Sequence, residues 1–216
     1  MYERLIRELV GTHGEPLNYA FLARRLGISR YRLVQQMERL ERAGAVRLLP
    51  PSGTQPGKRA VKSPVVYLRE ASPLVPPLEL PEEHVFRSEM IEHLLLRERA
   101  RCPTTRAGHG ATRATTHAAL VLSTPRARVG FQFPEDPFPG RRHWTGLKKC
   151  IRAKTLEFGF VLYPGERVFF AARQVIAIPV GDFLDDYASW LQVAEEPRSW
   201  RTHEMAQACN AFAFRR

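Results

Sequence analysis

Apolar side chains recur at helical spacing near the start of the chain. In "YERLIRELVGTHG" the residues Leu5, Ile6, Leu9 and Val10 fall on one face, which is the pattern of an amphipathic helix. Gly14 follows the last apolar position, where a glycine commonly ends a helix because it tolerates left-handed backbone angles. The first predicted element is therefore a helix that buries one side.

Two more helices are predicted between residues 18 and 44. Asn18 precedes "YAFLARRLG" and Ser29 precedes "RYRLVQQMERLERAG", and both side chains can accept a hydrogen bond from a free N–H of the first helical turn. In the third helix an apolar stripe at i, i+4, i+7 and i+11 comprises Leu33, Met37, Leu40 and Gly44. A separate polar stripe comprises Arg32, Gln36 and Arg39.

Extended segments follow the third helix. "AVRLLPP" and "VVYLRE" are predicted strands, and "SGTQPGKRAVKSP" between them is rich in Gly, Pro and cationic residues. Three helices with a tight second turn, then strand, basic loop and strand, predict a winged helix-turn-helix over residues 1–70.

A Pro-rich segment, "ASPLVPPLELP", favours an extended linker over residues 71–81. The next segment, "EEHVFRSEMIEHLLLRERA", is predicted to be a helix because Pro and acidic residues at its start favour helix initiation. Its predicted buried side comprises Phe86, Met90, Ile91, Leu94 and Leu95. "RCPTTRAGHGATRATT" has no apolar periodicity and is predicted to be a loop.

A hairpin is predicted in "THAALVLSTPRARVGFQFPEDPFPG", with Pro125 in its turn and the acidic residues Glu135 and Asp136 beyond its second strand. A basic helix from about Trp144 to Lys154 and the strands "EFGFVLYPG", "RVFFAA" and "QVIAIPV" follow. The predicted fold class is α/β (α+β), with a mixed sheet over residues 82–184. Residues 185–216 are predicted to be a helical tail.

The charge distribution narrows the range of possible functions. The net charge is +11, and residues 1–70 hold 13 Lys and Arg against 6 acidic residues, whereas residues 101–154 hold 11 against 2. Two separate basic zones are typical of a surface that follows phosphates. The alternative is a high arginine content without functional meaning.

Other compositional features exclude several classes of protein. The sequence has no run of 18 apolar residues and no secretory signal, so a cytoplasmic protein with no membrane partner is expected. Cys102, Cys150 and Cys209 lack the spacing of a zinc site or a disulfide framework. "GTQPGKRA" differs from a P-loop in its glycine spacing and in having Arg59 where Ser or Thr would hold magnesium. No ATPase activity is expected.

The predicted winged helix suggests roles for individual side chains. The N-terminal half of a recognition helix enters the major groove, where Arg and Gln can contact base edges. The predicted base-edge residues are Arg30, Tyr31, Arg32, Gln35 and Gln36. The predicted phosphate contacts are Arg39, Lys58, Arg59 and Lys62. The alternative is a winged helix that docks another protein through the same solvated face.

Several segments resemble a known family. "LNYAFLARRLGIS", "KSPVVYLREASPL", "IEHLLLRE" and "GFVLYPGERV…IAIPVGDFL" look like the C-terminal half of a group of prokaryotic AAA+ ATPases. The resemblance covers about residues 14–184 and does not include the ATPase module. It implies a winged helix followed by a restriction-endonuclease-like PD-(D/E)XK domain.

The resemblance also implies positions for a nuclease site, and most of them have lost their chemistry. The strand positions that would hold Asp, Glu and Lys carry Ala119, Gln132 and Pro134, and only the helix glutamate, Glu92, remains. Such a nuclease needs carboxylates for Mg²⁺ and a Lys in the transition state. The site is therefore predicted to be inactive, without a catalytic residue, metal or cofactor.

Cations nevertheless surround the inactive site. Those predicted to contact DNA are Arg126, Arg128, Arg141, Arg142, Lys148, Lys149 and Arg152.

The preferred hypothesis is a non-catalytic protein that binds duplex DNA, such as a regulator or a factor associated with defence or mobile elements. One alternative is an antitoxin-like protein-interaction module with a partner from its own operon. Another is a divergent nuclease that uses Glu135 or Asp136 with Lys148 or Lys149. The DNA target and the oligomeric state stay open.

Overall fold

The structure is a computed structural model that describes residues 2–52, 63–69, 80–111 and 116–196. Its helices and mixed sheet form an α+β fold, as predicted. Lys58, Arg59, Lys62, most of the predicted linker and the tail beyond residue 196 lie outside the described residues. No helix within the described ranges combines the length and the apolar character needed to cross a bilayer.

The N-terminal module contains three helices and a two-stranded antiparallel sheet: α1 (Tyr2–Val10), α2 (Tyr19–Leu26), α3 (Arg30–Arg42), β1 (Val46–Leu49) and β2 (Val65–Leu68). Both predicted N-caps are present. The Asn18 side chain accepts a hydrogen bond from the Phe21 N–H at 3.0 Å, and the Ser29 hydroxyl accepts one from the Arg32 N–H at 3.2 Å. These bonds satisfy backbone donors that a helix leaves free at its start.

The second unit is a six-stranded mixed sheet covered by helices. Its elements are α4 (Glu82–Arg101), β3 (Arg106–Ala111), β4 (Thr116–Ser123), β5 (Arg128–Gln132), α5 (Arg141–Arg152), β6 (Phe158–Tyr163), β7 (Phe169–Ala172), β8 (Val175–Pro179), α6 (Val180–Asp185) and α7 (Tyr187–Glu195). The strand order is β3-β4-β5-β6-β8-β7. β5, β6 and β8 run parallel, and the other neighbouring strands pair antiparallel.

The sheet buries both faces, since successive side chains of a strand point to opposite sides. On β6, Phe158 and Phe160 pack into the core beneath α4 and α7, whereas Val161 packs against α5 on the other face. α5 can approach the sheet closely because β5 carries Gly130, where a Cβ would lie 2.9 Å from Leu147 of α5. The sheet therefore separates α5 from α4.

The N-terminal module shares a core with the sheet. Along β2, Val65 and Tyr67 point into the core of the sheet, whereas Val66 and Leu68 point into the helical core of the module. The Tyr67 hydroxyl also donates a hydrogen bond to the carbonyl oxygen of Ala119 in β4, at 3.1 Å. β1 and β2 thus form a layer between the helices of the module and the sheet.

The predicted loop over residues 101–116 is wrong, because Arg106–Ala111 forms the edge strand β3. Gly and Ala give this segment little strand propensity of its own. It is held by tertiary contacts: the His109 N–H donates to the carbonyl oxygen of Pro50 and the Ser52 N–H to that of His109. A Cβ on Gly108 would lie 2.7 Å from the Pro50 carbonyl oxygen, so the small residue permits this approach.

The C-terminal helices belong to the core of the sheet. Trp190 and Leu191 of α7 are buried in the same cluster as the strands. The buried Glu98 of α4 accepts hydrogen bonds from the Tyr187 hydroxyl at 2.7 Å and from Arg101, which also bonds Glu195. The predicted boundary after residue 184 therefore cuts through one packed core.

Candidate nucleic-acid interface

The outward face of α3 carries most of the predicted base-edge residues. Ser29 fixes the start of the helix, and Leu33, Met37 and Leu40 bury its inner face. Arg30, Tyr31, Arg32 and Arg39 are exposed, with Tyr31 at 73%. Gln35 is half-buried, and its side-chain amide donates to the Tyr31 hydroxyl at 2.9 Å. These groups present arginine, phenol and amide chemistry on the first turns of one helix.

The base-edge role predicted for Gln36 is wrong. Gln36 is only 6% exposed, and its Oε1 makes no hydrogen bond to any described residue. The reason is helical geometry: Gln36 lies three residues after Leu33 and four before Leu40, so it shares their buried face. A side chain in that position cannot reach a base edge without leaving the core.

A second cationic surface lies on α5. Gly140 precedes this helix, which begins at Arg141 rather than near the predicted Trp144. Arg141, Thr145, Lys148 and Arg152 are exposed at i, i+4, i+7 and i+11 and so form one stripe. Lys149 and Arg142 are exposed beside it. Thr145 was not among the predicted contacts, although helical spacing from Arg141 identifies it.

The α5 stripe is free of internal ion pairs within the described part of the chain. Among the residues that the structure describes, none forms a salt bridge within 4.0 Å with Arg141, Lys148, Lys149 or Arg152. The nearest partial neutralisation is at Arg142, which lies 3.7 Å from the Asp136 carboxylate. These cations are therefore available to an external anion.

Arg128, a predicted phosphate contact, is engaged by an acid of its own chain. Its guanidinium donates to both carboxylate oxygens of Glu157, at 3.1 and 2.6 Å, and to the carbonyl oxygen of Lys154. The hydrogen bonds to Glu157 raise the pKa of Arg128. Although burial alone would raise it, the pKa of Glu157 is lowered by hydrogen bonds from Arg128. This internal pair neutralises Arg128, while Arg126 in the adjacent turn is exposed.

Of the four positions implied by the nuclease resemblance, Glu92 lines a different cleft from Gln132 and Pro134. Ala119 is buried in the core. Glu92 accepts hydrogen bonds from Arg47 of β1 at 2.7 and 3.0 Å, and lies in a cleft between α4 and the N-terminal module. Gln132 and Pro134 line a different cleft. Glu92 therefore connects the two units. Predicting this role would have required knowing its distant partner, Arg47.

The cleft beside Gln132 and Pro134 has a volume of about 340 Å³. Its charged and titratable lining residues are Arg87, Glu135, Asp136, Arg142 and His143. One Asp136 carboxylate oxygen accepts the Phe138 N–H at 2.8 Å, so this acid supports its own turn. Burial and the nearby Arg142 charge lower the pKa of His143. Across the residues that the structure describes, no group of three or more His, Cys, Asp and Glu could hold a metal ion.

Comparison with known proteins gives one partial match. Residues 1–83 match the model of a family described as a domain of unknown function (DUF8612). The match covers the N-terminal module and ends at the start of α4. Comparisons with curated proteins and with solved structures find no match.

Proposed function

We propose that the protein is a non-catalytic, duplex-DNA-binding protein. The N-terminal module acts as a winged helix, and α3 enters the major groove. The observation that carries this proposal is the exposure of Arg30, Tyr31, Arg32 and Arg39 on one capped helix. Arginine can donate two hydrogen bonds to guanine O6 and N7, and Arg39 lies far enough along the helix to contact the backbone.

The sheet unit supplies a second DNA contact through α5. Its exposed lysines and arginines match the chemistry of phosphate recognition, which is independent of sequence. The rise of an α-helix makes the stripe from Arg141 to Arg152 about 17 Å long. That length exceeds the roughly 12 Å width of the major groove, so the stripe can reach phosphates on both strands.

The proposed lack of catalysis rests on the chemistry at the positions implied by the nuclease resemblance. Ala119 and Pro134 can neither bind magnesium nor orient a water molecule, and Glu92 is engaged by Arg47. We expect that incubation with Mg²⁺ or Mn²⁺ leaves linear, nicked and single-stranded DNA intact. Cleavage that is lost in Asp136→Asn would instead support a divergent nuclease.

A protein-interaction function is the second candidate, and one apolar surface favours it. Phe138 is 85% exposed and lines a cleft of about 630 Å³ together with Pro137, Pro139, Tyr163 and Phe169. Exposed apolar patches of this kind mark protein contacts in many proteins. Co-purification of an operon neighbour that is lost in Phe138→Ser would support this function.

The DNA-binding proposal is tested by fluorescence anisotropy with a labelled duplex. The double variant R30Q/R32Q should weaken binding at least tenfold, because it removes two cations from the outward face of α3. Arg97→Gln is the matched control, since Arg97 is an exposed arginine on α4 and outside both cationic surfaces. Equal affinity of the wild type and R30Q/R32Q would contradict the proposed role of α3.

A further inference from the structure

The two cationic helices are separated by packed layers. α3 buries Leu33, Met37 and Leu40 in the core of the N-terminal module, and its cations face the other way. α5 buries Leu147 and Cys150 against one face of the large sheet. Each exposed surface therefore points away from the layer on which its helix packs.

Alternating side chains fix the order of the layers between the two helices. Val66 and Leu68 of β2 face the core that contains α3, and Val65 and Tyr67 face the core of the sheet. On β6 and β8 the alternation continues. Phe160 and Ile176 face the core that includes Tyr67, whereas Val161, Val175 and Ala177 face the core beneath α5. The sequence of layers is α3, the β1–β2 pair, the sheet and α5.

This order places the two surfaces on opposite sides of the protein. Packed layers are spaced by roughly 10 Å, and three such spacings separate the two helix axes by on the order of 30 Å. A straight duplex cannot contact both outward faces at once. A single duplex would have to bend around the protein, and bending a site of 20–30 base pairs by 40–90° already costs about 1–6 kcal/mol.

We propose that the protein bridges two DNA duplexes, one on α3 and one on α5. This inference rests on the proposed DNA-binding function and extends it from binding one duplex to tethering two. The α3 surface mixes Arg30 and Arg32 with Tyr31 and Gln35 and selects one duplex by sequence. The α5 stripe offers only cations and a hydroxyl, so it accepts a second duplex of any sequence.

A capture assay tests the bridging directly. A biotinylated 30-base-pair duplex is fixed to beads, loaded with the full chain and washed, and a fluorescent 30-base-pair duplex is added. We expect wild-type protein to retain the fluorescent duplex. The triple variant K148Q/K149Q/R152Q should still bind the immobilised duplex through α3, but its capture of the second duplex should fall at least tenfold. Arg97→Gln serves as the matched control and should capture as well as the wild type.

The outcomes separate this inference from the proposed function. If wild-type protein binds the immobilised duplex but captures no second one, bridging is wrong and the DNA-binding function stands. If the triple variant captures as much as the wild type, the second duplex does not bind α5, and self-association through two α3 surfaces accounts for capture. If wild-type protein binds no duplex at all, the proposed function fails and the bridging fails with it.

Discussion

The outward faces of α3 and α5 are both cationic, but they differ in composition. α3 carries the exposed Glu38 among its arginines and adds an exposed phenol and a half-buried amide. α5 has no acidic residue in its 12 positions, and its exposed stripe consists of Arg, Lys and Thr. Mixed donors and acceptors suit base recognition, whereas cations alone suit phosphates. The comparison supports the proposal that one chain combines selective and unselective DNA contacts.

The largest expected effect is the pH dependence of stability that arises from His13, at the junction between the N-terminal module and α4. His13 accepts a hydrogen bond from the Leu68 N–H at 3.2 Å and stacks on His84 at 4.3 Å. Burial, with the nearby His84 and Arg87 charges, lowers the pKa of His13 to about 3. Its ordinary value is 6.5, so the unfolded chain binds more protons between these two values.

Stability should therefore fall as the pH falls from about 6.5 towards 3. One such group contributes up to about 1.4 kcal/mol per pH unit over that window, on the order of 5 kcal/mol in total. Urea unfolding at several pH values measures it. His13→Gln should be less stable at pH 7. Its free energy of unfolding should also change less with pH, because about one fewer proton binds on unfolding. An unchanged slope in this variant would assign the acid sensitivity to other groups.

The next largest effect concerns the charge of α5. In the R30Q/R32Q background, where one labelled duplex is expected to bind mainly through α5, the further substitutions K148Q/K149Q/R152Q should reduce the slope of log K against log[salt] by about 2 to 3, because each neutralised phosphate contributes about 0.9. At 0.1 M salt the affinity should fall on the order of a hundredfold. Unfolding in urea should be unchanged, since all three side chains are exposed. A salt slope equal to that of R30Q/R32Q alone would show that the remaining duplex binding does not use these α5 cations.

The substitution Arg32→Ala tests whether the α3 surface selects DNA by its sequence. On a preferred site this change should cost about 1–3 kcal/mol, which is typical of a lost bidentate contact to guanine. On unrelated sequences the loss should be smaller. Gln36→Ala is a useful comparison, because a buried side chain should affect stability and leave base preference unchanged. A selection experiment with randomised duplexes measures both variants, and equal losses on all sequences would remove the major-groove assignment.

The smallest expected effect separates an exposed cation from a paired one. Arg128→Gln removes a guanidinium that Glu157 already neutralises, so duplex affinity should change less than in Lys148→Gln. The lost pair is half-exposed, with side-chain exposures of 40% and 37%, and such surface pairs contribute only about 0–1 kcal/mol. Anisotropy and urea unfolding of both variants provide the measurement. A larger affinity loss in Arg128→Gln than in Lys148→Gln would support its predicted phosphate role.

Local patterns predicted much of the fold. The capping residues Asn18 and Ser29 and the apolar stripe of α3 depend on neighbours within four positions, so the sequence alone contains them. The strand β3 does not follow from its own residues, because the backbone of His109 at its centre is hydrogen-bonded to Pro50 and Ser52, more than 50 residues away. Strand propensity cannot register such contacts.

The candidate site was less predictable, since availability of a cation depends on distant partners. Arg128 and Lys148 look alike in the sequence, but Glu157 engages only the former. The Gln36 misassignment had a local cause: its spacing from Leu33 and Leu40 fits the buried face as well as the polar stripe. Glu92 was chosen by resemblance, and its pairing with Arg47 across 45 positions became visible only in the structure.

The salt dependence of duplex binding tests the central claim most directly. Anisotropy titrations of the full chain with one labelled duplex, over about 50–200 mM salt, give the slope of log K against log[salt]. Roughly five neutralised phosphates predict a slope near −4 to −5. A flat response would contradict the account, because a surface that recognises DNA through these cations must release counterions when it binds.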